Sequence, residues 1–294
     1  MTRWLLPLVP LMGAALVLSC AGPSSTPTTE TATTALTSTA PASGAPARGS
    51  KEPAPSDRHT AVPPSHGSEE LRVLFVGNSY TSSHDLPVLV KQIAEASQPP
   101  PTIHTQMVSF PGYSLEQHWE RGEALKTIQE SAWDVVVLQD HSLQSIAAPE
   151  ALFQASQSFA EAIKGTGARV LFFVTWARRD VPSMQDGITL AYSRAARRAE
   201  GHLAPVGPAW RYARDHLPHI ALHDEDGSHP TTAGTYLAAC VFYSTLFGRP
   251  PNGAEQLGFG DLSEAELTSL QSAAWTVVAS RTGTDGAPPN ETGR

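Results

Sequence analysis

Apolar residues recur along this chain with two different periods. The stretch "LRVLFVG" at 71–77 is a continuous apolar run interrupted only by Arg72 and closed by a glycine, and "WDVVVLQ" at 133–139 and "RVLFFVTW" at 169–176 repeat that form. Short runs of this kind, rich in β-branched and aromatic residues and bounded by turn signals, predict strands buried on both faces. A second strand is predicted over Thr102–Ser109 and a short fifth in "HLAPVG" at 202–207. Between them the period lengthens. Leu86, Leu89, Val90 and Ile93 share one helical face, with Asp85 standing where an N-cap belongs. Helices are predicted over 115–130, over 149–164 with Phe159 and Ile163 inward, over 192–200, and in two long segments after Pro230 and Ser263.

Strands alternating with helices predict a parallel sheet covered on both faces, a three-layer α/β/α sandwich of about 210 residues. The folded domain is read as 70–281, followed by a loose polar tail at 282–294. In such sheets ligands gather outside the carboxyl ends of the strands, so residues that follow a strand are the candidates for chemistry.

Before residue 70 the pattern is of another kind. "MTRWLLPLVPLMGAALVLSC" places Arg3 ahead of an apolar run from Trp4 to Leu18 that ends at Ser19 and Cys20, the form of an export signal. The run is about 15 residues against the roughly 20 of a spanning helix, and Pro7 and Pro10 weigh further against a span. Val17, Leu18, Ser19 and Cys20 resemble a bacterial lipobox, which implies that Cys20 is lipidated and becomes the mature N-terminus. Residues 21–69 are dominated by Ser, Thr, Pro, Ala and Gly and read as a disordered tether, with a span on the order of 40 Å as a flexible coil. The expected location is extracytoplasmic, at a bacterial cell envelope, with the membrane as a partner through the N-terminal lipid.

Composition narrows the partners further. A formal charge of -8 over 294 residues disfavours a nucleic-acid partner, which requires a concentrated basic surface, and Arg194, Arg197 and Arg198 read as the wet face of a helix. The cysteines are Cys20 and Cys240, so a lipidated Cys20 leaves no internal disulfide. Cys240 falls on one helical stripe with Ala233, Leu237 and Val241 and reads as a small apolar core residue.

Candidate chemistry sits at the end of the first strand, where Gly77, Asn78 and Ser79 follow "LRVLFV". Gly-Asn-Ser is ordinary turn chemistry on its own. A second stretch, "HDEDGSHPTTAG" at 223–234, changes its meaning: Asp226 and His229 lie three apart in a Gly-containing loop before a helix. There the carboxylate can accept the imidazole Nδ1 proton while Nε2 faces outward, an arrangement that makes a serine hydroxyl nucleophilic.

"VLFVGNSYT" together with "DGSHPTTAG" resembles the SGNH hydrolase superfamily, also called GDSL hydrolases, over roughly residues 71–247. The resemblance implies a flavodoxin-like sheet, Ser79 as nucleophile, His229 as base and Asp226 as its orienting acid. It also implies that Gly112, in "SFPGYSLEQHW", offers its backbone N–H to the oxyanion. The third block departs from the family's Gly-x-Asn-Asp, since this chain reads "VVVLQDHS". Strict alignment sets Gln139 at the glycine position and His141 at the asparagine. A subset of SGNH-like proteins with GNS first blocks reads Leu-Gln here, which favours Gln139 as the substitute amide donor.

Trp176, Arg178 and Trp210 also follow strands and suit a sugar or a carboxylate-bearing substrate. His84 and His118 read as isolated surface residues. A different class of function is offered by His219, His223 and Asp224, which with Asp226 and His229 crowd residues 219–229 and would suit a metal-dependent hydrolase if helical. Pro218 and the loop character of 224–228 weigh against that reading, which also leaves Ser79 idle. A non-catalytic carbohydrate-binding protein on the same fold is the third alternative. The favoured reading is an exported serine esterase, a carboxylic ester hydrolase acting on an O-acyl ester, with acylated carbohydrate as the expected substrate and no cofactor or metal.

Overall fold

A computed structural model describes residues 70–282. The segment read as a signal peptide with Cys20, the one read as a tether through residue 69, and the residues from 283 lie outside the described residues. The strands are β1 (Glu70–Gly77), β2 (Thr102–Ser109), β3 (Val135–Leu138), β4 (Arg169–Phe173) and β5 (His202–Ala204). The helices are α1 (Ser79–Ser82), α2 (Leu86–Ala96), α3 (Leu115–Arg121), α4 (Glu123–Glu130), α5 (Gln144–Ala147), α6 (Pro149–Lys164), α7 (Met184–Arg198), α8 (Val206–His216), α9 (Thr232–Phe247) and α10 (Glu264–Thr282).

Alternation along each strand divides the core in two. Leu71, Val73, Phe75, Val135, Val137, Leu171 and Phe173 point to one face, where they pack with apolar residues of α2, α8, α9 and α10. Leu74, Val76, Val136, Leu138, Val170 and Phe172 point to the other, against α3, α4, α6 and α7. All five strands are parallel, in the order β2-β1-β3-β4-β5. Connections therefore leave β1 toward opposite sides, and the crevice where they part lies between the carboxyl ends of β1 and β3.

The first face is thicker than three layers require. Helix α9 is apolar around its whole circumference and buried along nearly its whole length, including Cys240, because α10 covers the side turned away from the sheet. Among the described residues no helix is long and apolar enough to cross a membrane.

Local departures from the sequence reading have physical causes. The helix expected over 115–130 is two helices, because Gly122 takes the left-handed conformation (φ 80°) that ends α3 and opens α4. The helix expected at 192–200 begins a full two turns earlier, at Met184, and the fifth strand expected over 202–207 ends at Ala204, giving way to α8, for which no helix was predicted. Asp85 occupies the N-cap position of α2 but at φ 51°, and its side chain caps nothing.

Candidate active site

The end of β1 is held from four directions. Gly77 O accepts from Phe110 N–H (3.2 Å) after β2 and from His118 Nε2–H (2.7 Å) on α3. Asn78 caps the single turn of α1, its Oδ1 accepting from Tyr80 N–H (3.1 Å), while its Nδ2 donates to Tyr113 O (2.9 Å) in the loop after β2. Its own N–H donates to Gln139 Oε1 (2.8 Å), which follows β3. Ser79 is thus the first residue of a clamped helical turn, partly exposed at the crevice between β1 and β3. A Cβ on Gly77 would fall on Thr81 Oγ1 and Gln139 Oε1, so this close approach requires glycine.

The structure brings together the three residues that sequence spacing picked out. Ser79 Oγ lies 2.9 Å from His229 Nε2, and His229 Nδ1 lies 2.5 Å from Asp226 Oδ2. The other carboxylate oxygen accepts from Ser228 N–H (2.8 Å) and His229 N–H (2.9 Å), so the loop holds its own acid. Hydrogen bonding to His229 first, and to Ser228 N–H next, keeps the Asp226 carboxyl well below the usual carboxylate range. Both members of the pair are open to water, with side-chain exposures of 43% for His229 and 49% for Asp226.

Aromatic residues support this loop from beneath. Tyr80 stacks on Trp176 (4.4 Å between ring centroids) and Trp176 on Trp210 (3.9 Å), with Tyr80 edge-on to His229. Trp176 Nε1–H donates to Ser228 O (2.9 Å), and Tyr80 Oη bonds Ser228 Oγ (2.7 Å). Trp176 and Trp210 are almost wholly buried, which decides between substrate platform and core: they are core that positions the His229 loop. Only Arg178 of that group remains partly exposed.

Gln139 also differs from expectation. It is fully buried; Oε1 accepts from Asn78 N–H and Thr81 Oγ1–H (2.9 Å), and Nε2 donates to Asp140 O. Two donors converge on one end of the amide and a carbonyl faces the other, which fixes its orientation and commits one of the two Nε2 hydrogens to Asp140 O. Gln139 braces the nucleophile turn. Gly112, in contrast, is exposed at φ 73° in the loop after β2, a conformation that favours glycine.

Asp140 and His141 extend this third block. Asp140 Oδ1 accepts from Leu115 N–H and His141 N–H (both 2.8 Å), joining the loop after β2 to the loop after β3. Burial pushes its carboxyl up to about 6, although those two N–H groups pull the other way. His141 Nδ1 accepts from Leu143 N–H (3.4 Å), so the neutral ring carries its proton on Nε2. Burial first, and the Arg178 guanidinium second, lower the His141 pKa.

The Asp140 carboxyl gives a testable dependence of stability on pH. Its ordinary value is 3.8, so between 3.8 and about 6 the folded protein holds a proton that the unfolded chain has released. Stability therefore falls as pH rises through that window. Asp140→Asn keeps an oxygen for both N–H groups without burying a charge. It is expected to match the parent near pH 4 and to exceed it above pH 6 by about 2 to 3 kcal/mol, which thermal melts across pH 4–8 would measure.

Of the two histidines read as surface residues, one is and one is not. His118 is fully buried, its pKa lowered by burial, and it braces Gly77; His84 is exposed and bonds Thr235 Oγ1 (2.9 Å). The residues of the metal reading do not converge. His223 is buried with Nε2 donating to Ala177 O (2.9 Å), Asp224 Oδ1 accepts from Glu225 N–H, and among the described residues no three His, Cys, Asp or Glu side chains are gathered as ligands.

No protein-family model matches the chain, and no curated protein matches it in sequence. Solved structures do. A protein from Slackia heliotrinireducens described as an SGNH hydrolase is similar at 26% identity and a TM-score of 0.51, over 60% of this chain and 99% of that one. A DUF4886 family protein from Bacteroides uniformis is similar at 20% identity and a TM-score of 0.59, over 72% and 96%. A lipase/acylhydrolase from Enterococcus faecalis shares the fold at 14% identity and a TM-score of 0.50, over 61% and 96%. The five-stranded parallel sheet, the serine after its first strand and these likenesses place the chain, by fold, in the SGNH/GDSL hydrolase superfamily.

Proposed function

We propose that the protein is a serine-dependent carboxylic ester hydrolase. The observation that carries this reading is the relay from Ser79 Oγ to His229 Nε2 (2.9 Å) and from His229 Nδ1 to Asp226 Oδ2 (2.5 Å), at the crevice where such sheets bind ligands. His229 takes the Oγ proton as Oγ bonds to the acyl carbon. The carbonyl oxygen becomes an oxyanion facing the backbone N–H groups of Ser79 and Gly112. Gln139 is fully buried under the nucleophile turn whereas His141 is partly exposed, so the third donor is assigned to His141 Nε2–H, at the position of the family's asparagine. Collapse breaks the bond to the alcohol, which leaves with the proton from His229. Water, activated by the same imidazole, then releases the acid and restores Ser79.

The reading extends to place and substrate. The apolar run ending at Cys20 and the polar stretch after it support a lipid-anchored, extracytoplasmic enzyme, for which an O-acylated carbohydrate is the fitting substrate. Labelling by a fluorophosphonate that is lost in Ser79→Ala, with turnover of a panel of acyl esters and acetylated glycans, tests the chemistry; an unlabelled, inactive protein would leave a binding role on the same fold. Cys20→Ser is expected to move the protein from the membrane fraction to the soluble one with its ester turnover retained. Sedimentation of the variant with membranes would remove lipidation as the anchor.

A further inference from the structure

We propose that Arg178 is an anion-binding residue at the edge of the cleft, so that an ester carrying a carboxylate is preferred over its uncharged analogue. This inference rests on the esterase reading above for its catalytic consequence and on the following geometry for the binding.

Arg178 and Arg179 both follow β4, and their surroundings separate their roles. Arg179 is structural: Nη1 and Nη2 donate to Asp224 O (3.2 Å) and Glu225 O (3.0 Å) of the loop that carries Asp226 and His229, and Nε pairs with Asp180. Arg178 is half-buried, and its guanidinium meets one neutral partner, Ser142 Oγ (2.9 Å), with no carboxylate in ion-pair range among the described residues. A guanidinium has five N–H donors in a planar fork that matches a carboxylate, and most of these are uncommitted. The chain is otherwise acidic, at -8, so an unpaired cation among the strand-end loops is not part of a general basic surface.

Its backbone is braced on both sides. Ala177 N–H donates to Gln185 Oε1 (2.9 Å), Gln185 Nε2 donates to Thr175 O (3.1 Å), and Arg179 N–H donates to Gly227 O (2.9 Å). A charge presented from a fixed strand end costs less ordering on binding. The same strand end carries the Trp176 bond to Ser228, next to His229. The guanidinium itself stands over the loop after β3, on Ser142 and close enough to His141 to lower its pKa, so it flanks the cleft beside the groups that face the reacting carbonyl. Leu143 and Val181, 38% and 46% exposed on the loops that carry Ser142 and Arg178, supply apolar surface beside the cation. An ester that bears a carboxylate on an aromatic or aliphatic group fits that pairing.

The test compares 4-acetoxybenzoate with 4-acetoxybenzamide, two acetyl esters that differ in the charge of the alcohol portion. The parent is expected to favour the anion in kcat/KM, and Arg178→Met to lower that preference at least tenfold, with Arg178→Lys between them. In parallel, Ser79→Ala protein is titrated calorimetrically with 4-hydroxybenzoate, and adding Arg178→Met is expected to weaken binding at least tenfold. If neither ester is cleaved but the calorimetric loss appears, the esterase reading fails and the anion site stands. A parent without preference for the anion, or a Met variant that loses both esters equally, would overturn the proposal and leave Arg178 as a brace of Ser142.

Discussion

Replacing Ser79 or His229 by alanine is expected to lower kcat on a responsive ester at least a thousandfold, and combining the two should cost little more than either alone, because they act as one unit. Asp226 is expected to behave differently. It is about half exposed, so in Asp226→Ala water can take the place facing His229 Nδ1, and the loss should be about ten- to a hundredfold, well short of what a buried acid of this kind costs. Asp226→Asn should be the worse variant. Asp226 Oδ1 is fixed by Ser228 N–H and His229 N–H, so the amide oxygen is held there and the new N–H2 is set against His229 Nδ1. A donor at Nδ1 forces the ring proton onto Nε2, the atom that must accept from Ser79, and kcat should fall about a thousandfold or more. Steady-state kinetics of the five variants, each checked for folding by its melting curve, measure the ranking. Full activity in Ser79→Ala would remove the nucleophile, and an Asn variant better than the Ala variant would remove the tautomer argument.

Where the sequence was legible, the signal was local. The strand at 71–77 announces itself by an apolar run ending in glycine, and Asp226 and His229 by three-residue spacing in a glycine-containing loop, since one turn of chain can join them without help. What escaped the reading depends on distance. The Tyr80, Trp176 and Trp210 stack joins three separate segments, and nothing in "VTW" or "PAW" tells a buried aromatic from a platform. His118 spends Nε2–H on a backbone carbonyl, a partner that leaves no mark in the sequence. Helix α8 was hidden by Pro205, Gly207 and Pro208, which read as loop, although Val206, Ala209, Trp210 and Ala213 already had helical spacing. For Asp140 a faint signal existed: an acid directly after an apolar strand, where burial raises its pKa.

Gln139→Ala is expected to unsettle the fold before it unsettles the chemistry. Its partners Asn78 and Thr81 are 61 and 58 residues away in sequence, and all three are buried, so truncation leaves the Asn78 N–H, the Thr81 hydroxyl and the Asp140 carbonyl without their bonds. Several buried polar groups losing partners together should cost about 3 to 5 kcal/mol, or a fall in Tm on the order of 10 °C. The nucleophile turn would loosen as well, since Asn78 N–H is one of the groups that fix Ser79, and kcat should drop with it. An oxyanion donor would behave otherwise, because its bond matters in the transition state and not in the folded ground state: kcat would fall about a hundred- to a thousandfold at constant Tm. His141→Ala should show that second pattern, because His141 is only partly buried and its ring is held by a single long bond from Leu143 N–H. The measurement is therefore a pair of numbers, Tm and kcat, for each of two variants. A stable, slow Gln139→Ala beside an unimpaired His141→Ala would return the oxyanion role to Gln139, through the Nε2 hydrogen that Asp140 O does not take.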